Sequence, residues 1–240
     1  MIKKEYLLIF ALLIVIVALI IAIAAVNVSD EKADSNLSDT YVELIANDST
    51  GSVSVMRNVG NSDGKRIAYV VGVHPLENET HRTLVKLLPT LADLDCCYDI
   101  YMINVTEDIG YYGDGSSDDS LGRQNGQNLA REYVYPEIVD GNYSMAIDVH
   151  SNIGAYPYQT FVFSPVKEAL SVDYARQVAD ESSNISYYSP ESTTSGPYLT
   201  IPLNENGVPA FYYEEYSFAT QDEKDSHMLE LIYAVDGLEL

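Results

Sequence analysis

Arg66-Ile67-Ala68-Tyr69-Val70-Val71-Gly72-Val73-His74-Pro75-Leu76-Glu77 passes from a strand pattern into a helix pattern without a linker. Residues 66–73 are apolar and rich in β-branched side chains, which suits a buried strand. From Glu77 to Leu94 the apolar positions Leu84, Leu87, Leu88 and Leu91 fall at helical spacing, and Pro89 should kink or break that helix. The same alternation recurs downstream. A strand is expected over 97–105, a Gly/Asp/Ser loop over 108–120, and a helix over 124–139, ended or bent at Pro136. Strands follow over 145–149 and 160–163, then an amphipathic helix over 166–184. A Ser/Tyr/Pro/Gly loop spans 186–207, a strand 210–216, and a closing helix 221–235. Alternating strands and helices predict an α/β fold, with a mixed, mostly parallel sheet flanked by helices.

Ligands of such sheets collect at the carboxyl ends of the strands. His74, His150 and Glu214 all lie at or just past the ends of apolar runs. Glu77 follows His74 by three residues, a spacing at which both side chains can reach one ion. Two imidazoles and a carboxylate make a three-ligand zinc set with a fourth position left for water, and a further carboxylate can take that water's proton. HxxE alone is a weak motif; it gains weight because two of only four histidines fall at strand ends. Asp148, two residues before His150, is a candidate to orient that imidazole. The remaining histidines, His81 and His227, read as solvent-facing.

Gly72-Val73-His74-x-x-Glu77, Asp148-Val149-His150-Ser151 and Val208-Pro209-Ala210-Phe211-Tyr212-Tyr213-Glu214 together resemble the zinc carboxypeptidase superfamily. In size the compact branch containing succinylglutamate desuccinylase and aspartoacylase is nearest. The resemblance spans about 65–240. It implies that His74, Glu77 and His150 bind one zinc ion, and that Glu214 activates water and relays its proton to the leaving amine. Glu215 is the rival base, but strand neighbours point to opposite faces, and the offset from Pro209 favours Glu214. The chain departs from the family in having Pro75-Leu76 before the ligand glutamate and no Asn-Arg dipeptide to grip a substrate carboxylate. Arg123 is the candidate for that contact or for an oxyanion, since a guanidinium binds carboxylate bidentately and stays charged. Asn125 and Asn128 are further substrate-binding candidates, and Tyr198 a candidate lid residue.

The N-terminus bounds location. Residues 6–26 carry no charge and are long enough for a bilayer core, which takes about 20 helical residues. A cleavable signal has a shorter apolar region, although Ala22 to Ala25 offer a cleavage site. Lys3 and Lys4 place residues 1–5 in the cytoplasm. The expected organisation is therefore a transmembrane helix over 6–26, a polar extracellular tether over 27–63 with edge-hairpin pieces at 41–45 and 53–56, and a domain over 64–240. Asn-x-Ser/Thr sequons at Asn27, Asn36, Asn47, Asn78, Asn104, Asn142 and Asn184 fit a glycosylated, exported protein. A net charge of -23, from 36 acidic and 13 basic residues, repels phosphate backbones and argues against nucleic acid as a partner. Cys96 and Cys97 are adjacent, offer no zinc-thiolate spacing, and read as buried small hydrophobes.

These features predict a membrane-anchored, externally facing zinc hydrolase that cleaves an amide bond in a peptide or N-acyl amino acid, with cell-envelope peptides as candidate substrates. Two alternatives stay open: a carboxypeptidase-like binding module without catalysis, and an adhesive surface protein without metal.

Overall fold

The computed structural model of the protein describes residues 40–107, 109, 120–167 and 169–240. Eight strands form one sheet: β1 (Tyr41–Asn47), β2 (Gly51–Gly60), β3 (Arg66–Val71), β4 (Cys97–Val105), β5 (Met145–Asn152), β6 (Phe161–Phe163), β7 (Ser186–Tyr187) and β8 (Ala210–Tyr216). Their order is β1-β2-β4-β3-β5-β8-β6-β7. The centre, β4-β3-β5-β8, is parallel. The hairpin β1-β2 joins β4 antiparallel, and β6 joins β8 antiparallel.

Residues of β3 are buried on both faces, as the continuous apolar run requires. Ile67, Tyr69 and Val71 point to one side with Tyr98, Ile147, Phe211 and Tyr213. Helices α1 (Asn78–Leu87), α4 (Leu170–Glu181) and α6 (Gln221–Asp236) cover that side through Leu84, Val178, Leu231 and Ile232. Ala68 and Val70 face the other side, where Leu129, Ile138 and Leu203 pack from α2 (Ser120–Leu129), α3 (Tyr135–Asp140) and α5 (Thr200–Glu205), with Val134 between α2 and α3. The expected α/β class and mostly parallel sheet are what the chain adopts.

Local chemistry sets the element ends. Helix α1 stops at Leu87, and Pro89 sits in a single 3-10 turn, Leu88–Thr90. Pro136 does not end its helix. A π segment, Ala130–Val134, joins α2 to α3 immediately before it, a common way to absorb the missing N–H. Helix α6 opens with a capping box in which Thr220 and Glu223 satisfy each other's backbone N–H.

Two expectations about the N-terminal part are corrected. The stretch read as a tether to residue 63 enters the sheet from Tyr41 onward. Arg57 of β2 bonds Glu43, buried Asp99 and Glu137, tying the hairpin to β4 and α3. The transmembrane helix, and with it the single-pass extracellular placement and the membrane as a partner, is not upheld: among the described residues no helix is long and apolar enough to cross a membrane. The longest, α6, has 16 residues, includes Asp222, Glu223, Lys224 and Asp225, and buries one face on the sheet. It rises only about 24 Å at 1.5 Å per residue. The segment 6–26 lies outside the described residues.

Candidate metal centre

Strand β3 ends at Val71, and Gly72 then turns with φ +90. A Cβ at Gly72 would collide with the Ile103 carbonyl oxygen, so only glycine lets the chain bend there. The bend delivers His74 to the edge of the sheet, and a 3-10 turn, Pro75–Glu77, brings Glu77 back beside it. His150 arrives on β5, the neighbour of β3.

The three side chains meet. His74 Nδ1 lies 2.9 Å from Glu77 Oε1, and His150 Nδ1 lies 2.9 Å from Glu77 Oε2. The Ser151 N–H donates to Glu77 Oε2 at 3.0 Å, and Arg123 Nη1 donates to Oε1 at 3.2 Å. All three are buried, and one ligand atom from each lies within 4.8 Å of the others. Two neutral-capable imidazole nitrogens and a carboxylate oxygen are the donor set zinc prefers. The fit extends outward: buried Asp148 Oδ1 lies 3.0 Å from His150 Nε2, off the hydrogen-bond line, and neither atom has a hydrogen-bond partner. The triad is capable of holding a metal ion.

Electrostatics follow from burial and mutual charge. Burial opposes ionisation of Glu77, yet His150 and His74 hold its carboxyl well below the usual range. Burial and the neighbouring His150 lower His74. Burial alone would lower His150 too, but the carboxylates of Asp148 and Glu77 raise it well above an ordinary imidazole.

His74, Glu77 and His150 open into a cavity of about 430 Å³ that Arg123 and Glu214 also line. Among the described residues Arg123 is the one Lys or Arg on its wall. Burial pushes the Glu214 carboxyl up to about 8, against the pull of His150. Its neighbour Glu215 faces the opposite side of the sheet and is fully buried, accepting from Tyr213 Oη, Thr160 Oγ1 and the Tyr216 N–H. The remaining candidates do not reach the cavity. Asn125 donates to the Glu107 carbonyl, Asn128 accepts from Gln124, and Tyr198 Oη accepts from Gln124 Nε2. The helix begins at Ser120, so Arg123 and Gln127, four apart, share its inward face while Asn125 points away.

Sequence reasoning missed several wall residues. Tyr156, on the loop after β5, brings a phenol raised by burial and by Glu214; nothing in the sequence marks it among twenty tyrosines. Ser192, Thr193, Thr194 and Ser195 line the cavity as consecutive hydroxyls, a run visible in the sequence. Tyr212 closes the floor, stacked on Phe163 and bonded to Ser195 Oγ at 2.8 Å. His81 and His227 are not solvent-facing. His81 is buried with Nε2 3.0 Å from the Val149 carbonyl, and His227 Nδ1 lies 3.2 Å from both Glu215 oxygens.

No family model matches the chain, and no curated protein matches it by sequence. Solved structures do match by fold. A metallo-carboxypeptidase from Burkholderia cenocepacia aligns with a TM-score of 0.52 at 13% identity, covering 85% of this chain and 66% of that one. The tripeptide-bound cell shape determinant protein Csd4 of Helicobacter pylori aligns with a TM-score of 0.54 at 10% identity, covering 77% of this chain and 54% of that one. A Shewanella baltica OS155 protein assigned to the metallopeptidases gives 0.52 at 10% identity, covering 86% and 88%. The chain thus spans two thirds or less of the first two. Its fold is a distant, low-identity match to the zinc metallopeptidases and carboxypeptidases, and it carries a His-Glu-His triad able to bind a metal.

Proposed function

We propose that this domain is a zinc-dependent amidohydrolase of the carboxypeptidase type, acting on a peptide or N-acyl amino acid. The observation that carries the reading is the convergence of His74, Glu77 and His150 at the strand ends, with Glu214 and Arg123 on the wall of the same cavity. Zinc held by such a triad acidifies water to a pKa of about 7 and polarises a carbonyl. The chain's own residues supply the rest. Glu214, the wall carboxylate outside the triad, takes the proton of the attacking water and hands it to the leaving nitrogen. Arg123 pairs with the substrate's terminal carboxylate or with the oxygen that gains charge. The hydroxyls of residues 192–195 and the rings of Tyr156, Phe163 and Tyr212 frame the side chain beside the scissile bond. The 88% coverage of the Shewanella protein supports a compact member of the superfamily.

The rival is a metal-holding module without turnover, favoured by Arg123 being the single cation among the described wall residues. A panel of peptides and N-acyl amino acids separates the two. Hydrolysis that is lost to a chelator, restored by zinc and absent in Glu214→Gln supports the enzyme. Zinc binding with no hydrolysis anywhere on the panel supports the module.

A further inference from the structure

Glu77 and Ser151, which line the catalytic cavity, also line a second one of about 550 Å³. Arg123 belongs to the wall of the first and Lys224 to the wall of the second. Helix α1 contributes Glu79 and Thr80 to the second cavity, and the chain after β8 contributes Ser217, Phe218 and Lys224. None of these five has a part in the proposed hydrolysis.

The Lys224 ammonium donates to Glu79 Oε2 at 2.6 Å and to the Ser217 carbonyl at 2.8 Å. The two ends of that ion pair differ in exposure: 3% of the Lys224 side chain is accessible, against 67% of Glu79. Glu79 can therefore swing into water, whereas Lys224 cannot follow it. A buried charge left without a counter-charge is costly, so the place Glu79 vacates calls for another anion. The same cavity offers further donors. The Thr80 hydroxyl is buried and has no hydrogen-bond partner. Glu77 occupies the N-cap of α1, but its carboxylate is held by the triad and makes no side-chain cap to the first N–H groups of the helix. Leu76 and the largely exposed ring of Phe218 add an apolar wall. An ammonium, a free hydroxyl and a helix N-terminus beside apolar surface suit a carboxylate on a short apolar stem.

We propose that this cavity is a second carboxylate subsite, in which Lys224 exchanges the Glu79 carboxylate for one brought by the substrate. With Arg123 taking the carboxylate of the leaving group, the second subsite falls to the acyl side of the scissile bond. The preferred substrate is then a peptide with an acidic residue on that side, its methylenes against Phe218. The acyl-side assignment rests on the amidohydrolase reading; the exchange at Lys224 does not. Glu79 acts as an internal competitor that keeps the buried ammonium paired while no ligand is bound.

The test compares matched peptides carrying Glu or Gln at the two residues before the scissile bond, on the full chain with zinc supplied. Binding is read by calorimetry and turnover by kcat/KM. Wild type should favour the Glu peptide by about tenfold, the low end for a hydrogen bond to a charged group, because Glu79 must be displaced. Lys224→Met should erase that preference. Glu79→Gln, at an exposed position, should fold as the wild type does and raise the preference, since the competitor has lost its charge. Equal binding of the two peptides to wild type, a preference that survives Lys224→Met, or one that Glu79→Gln leaves unchanged overturns the proposal. Should Lys224→Met unfold, Glu79→Gln alone decides. Heat from acetate without a preference between the peptides assigns the cavity to a free anion and likewise overturns it. A Glu preference in binding with no turnover of either peptide removes the amidohydrolase reading and keeps the subsite.

Discussion

His150 and Glu214 are register partners across the parallel ladder of β5 and β8. Adjacent strands lie about 4.8 Å apart, so the sheet itself fixes the distance between a member of the candidate metal triad and the carboxylate proposed as base. That spacing does not depend on a loop. Replacing Glu214 by Gln keeps the side chain's size and removes its capacity to accept a proton. Turnover should fall by about 10² to 10⁴, the usual contribution of a general base, while zinc content stays at the wild-type level. Steady-state rates and metal analysis on one preparation check both halves.

Arg123 donates to Glu77 and, at 3.3 Å, to Thr194 Oγ1, which also lines the cavity. Its proposed grip on a substrate carboxylate predicts a selective defect. Arg123→Ala should cost about 1.5–3 kcal/mol in kcat/KM, the range for a hydrogen bond to a charged group. The loss should be confined to substrates with a free carboxylate. Arg123→Lys should restore it only in part, because an ammonium lacks the bidentate fork. Equal losses on amidated substrates would show that the guanidinium acts on the triad instead.

Gly126 brings α2 against the strand that ends beside His74. A Cβ there would strike the Val73 carbonyl oxygen, backbone that cannot rotate away. Gly126→Ala should therefore cost about 1–3 kcal/mol of stability in urea unfolding, as overpacking does. Gly237→Ala is the control: its φ is -83, the nearest atom to its Cβ would be Tyr233 O at 3.5 Å, and little change is expected.

The hydrogen bond that His227 donates to Glu215, against some opposition from burial, raises the His227 imidazole above its usual range, with Glu230 and Glu223 adding to the effect. The sign follows directly. A folded-state pKa above the unfolded value of about 6.5 makes the ion pair stabilise fully below that pH, and the contribution disappears as pH rises through the folded value. Thermal unfolding of wild type and His227→Gln should therefore differ most near pH 6 and converge at alkaline pH. A gap that is constant with pH would assign the effect to packing.

The strand–helix alternation was legible because β3, β5 and β8 are continuous apolar runs and α1 and α4 keep helical spacing. The triad was legible for the same reason: strand ends are visible in hydropathy, and HxxE spans one turn. Residues 41–60 were harder to read, because β1 is exposed along most of its length and looks like tether. Short α5 hides inside a polar loop for lack of periodicity. Asn125 and Asn128, candidates by their closeness to Arg123 in the sequence, bond the Glu107 carbonyl and Gln124. The helix Ser120–Leu129 places Arg123 and Gln127, four apart, on one face toward the triad. His81 and His227 show why single polar residues mislead. Each is held by a partner, the Val149 carbonyl or Glu215, that no local pattern reveals.

The most direct measurement is the zinc content of the purified protein, wild type against His150→Ala, by elemental analysis after exhaustive dialysis. A triad that holds zinc predicts one ion per wild-type chain and loss of that ion in the variant. A wild type with no bound zinc, or a variant that retains the full complement, would contradict it.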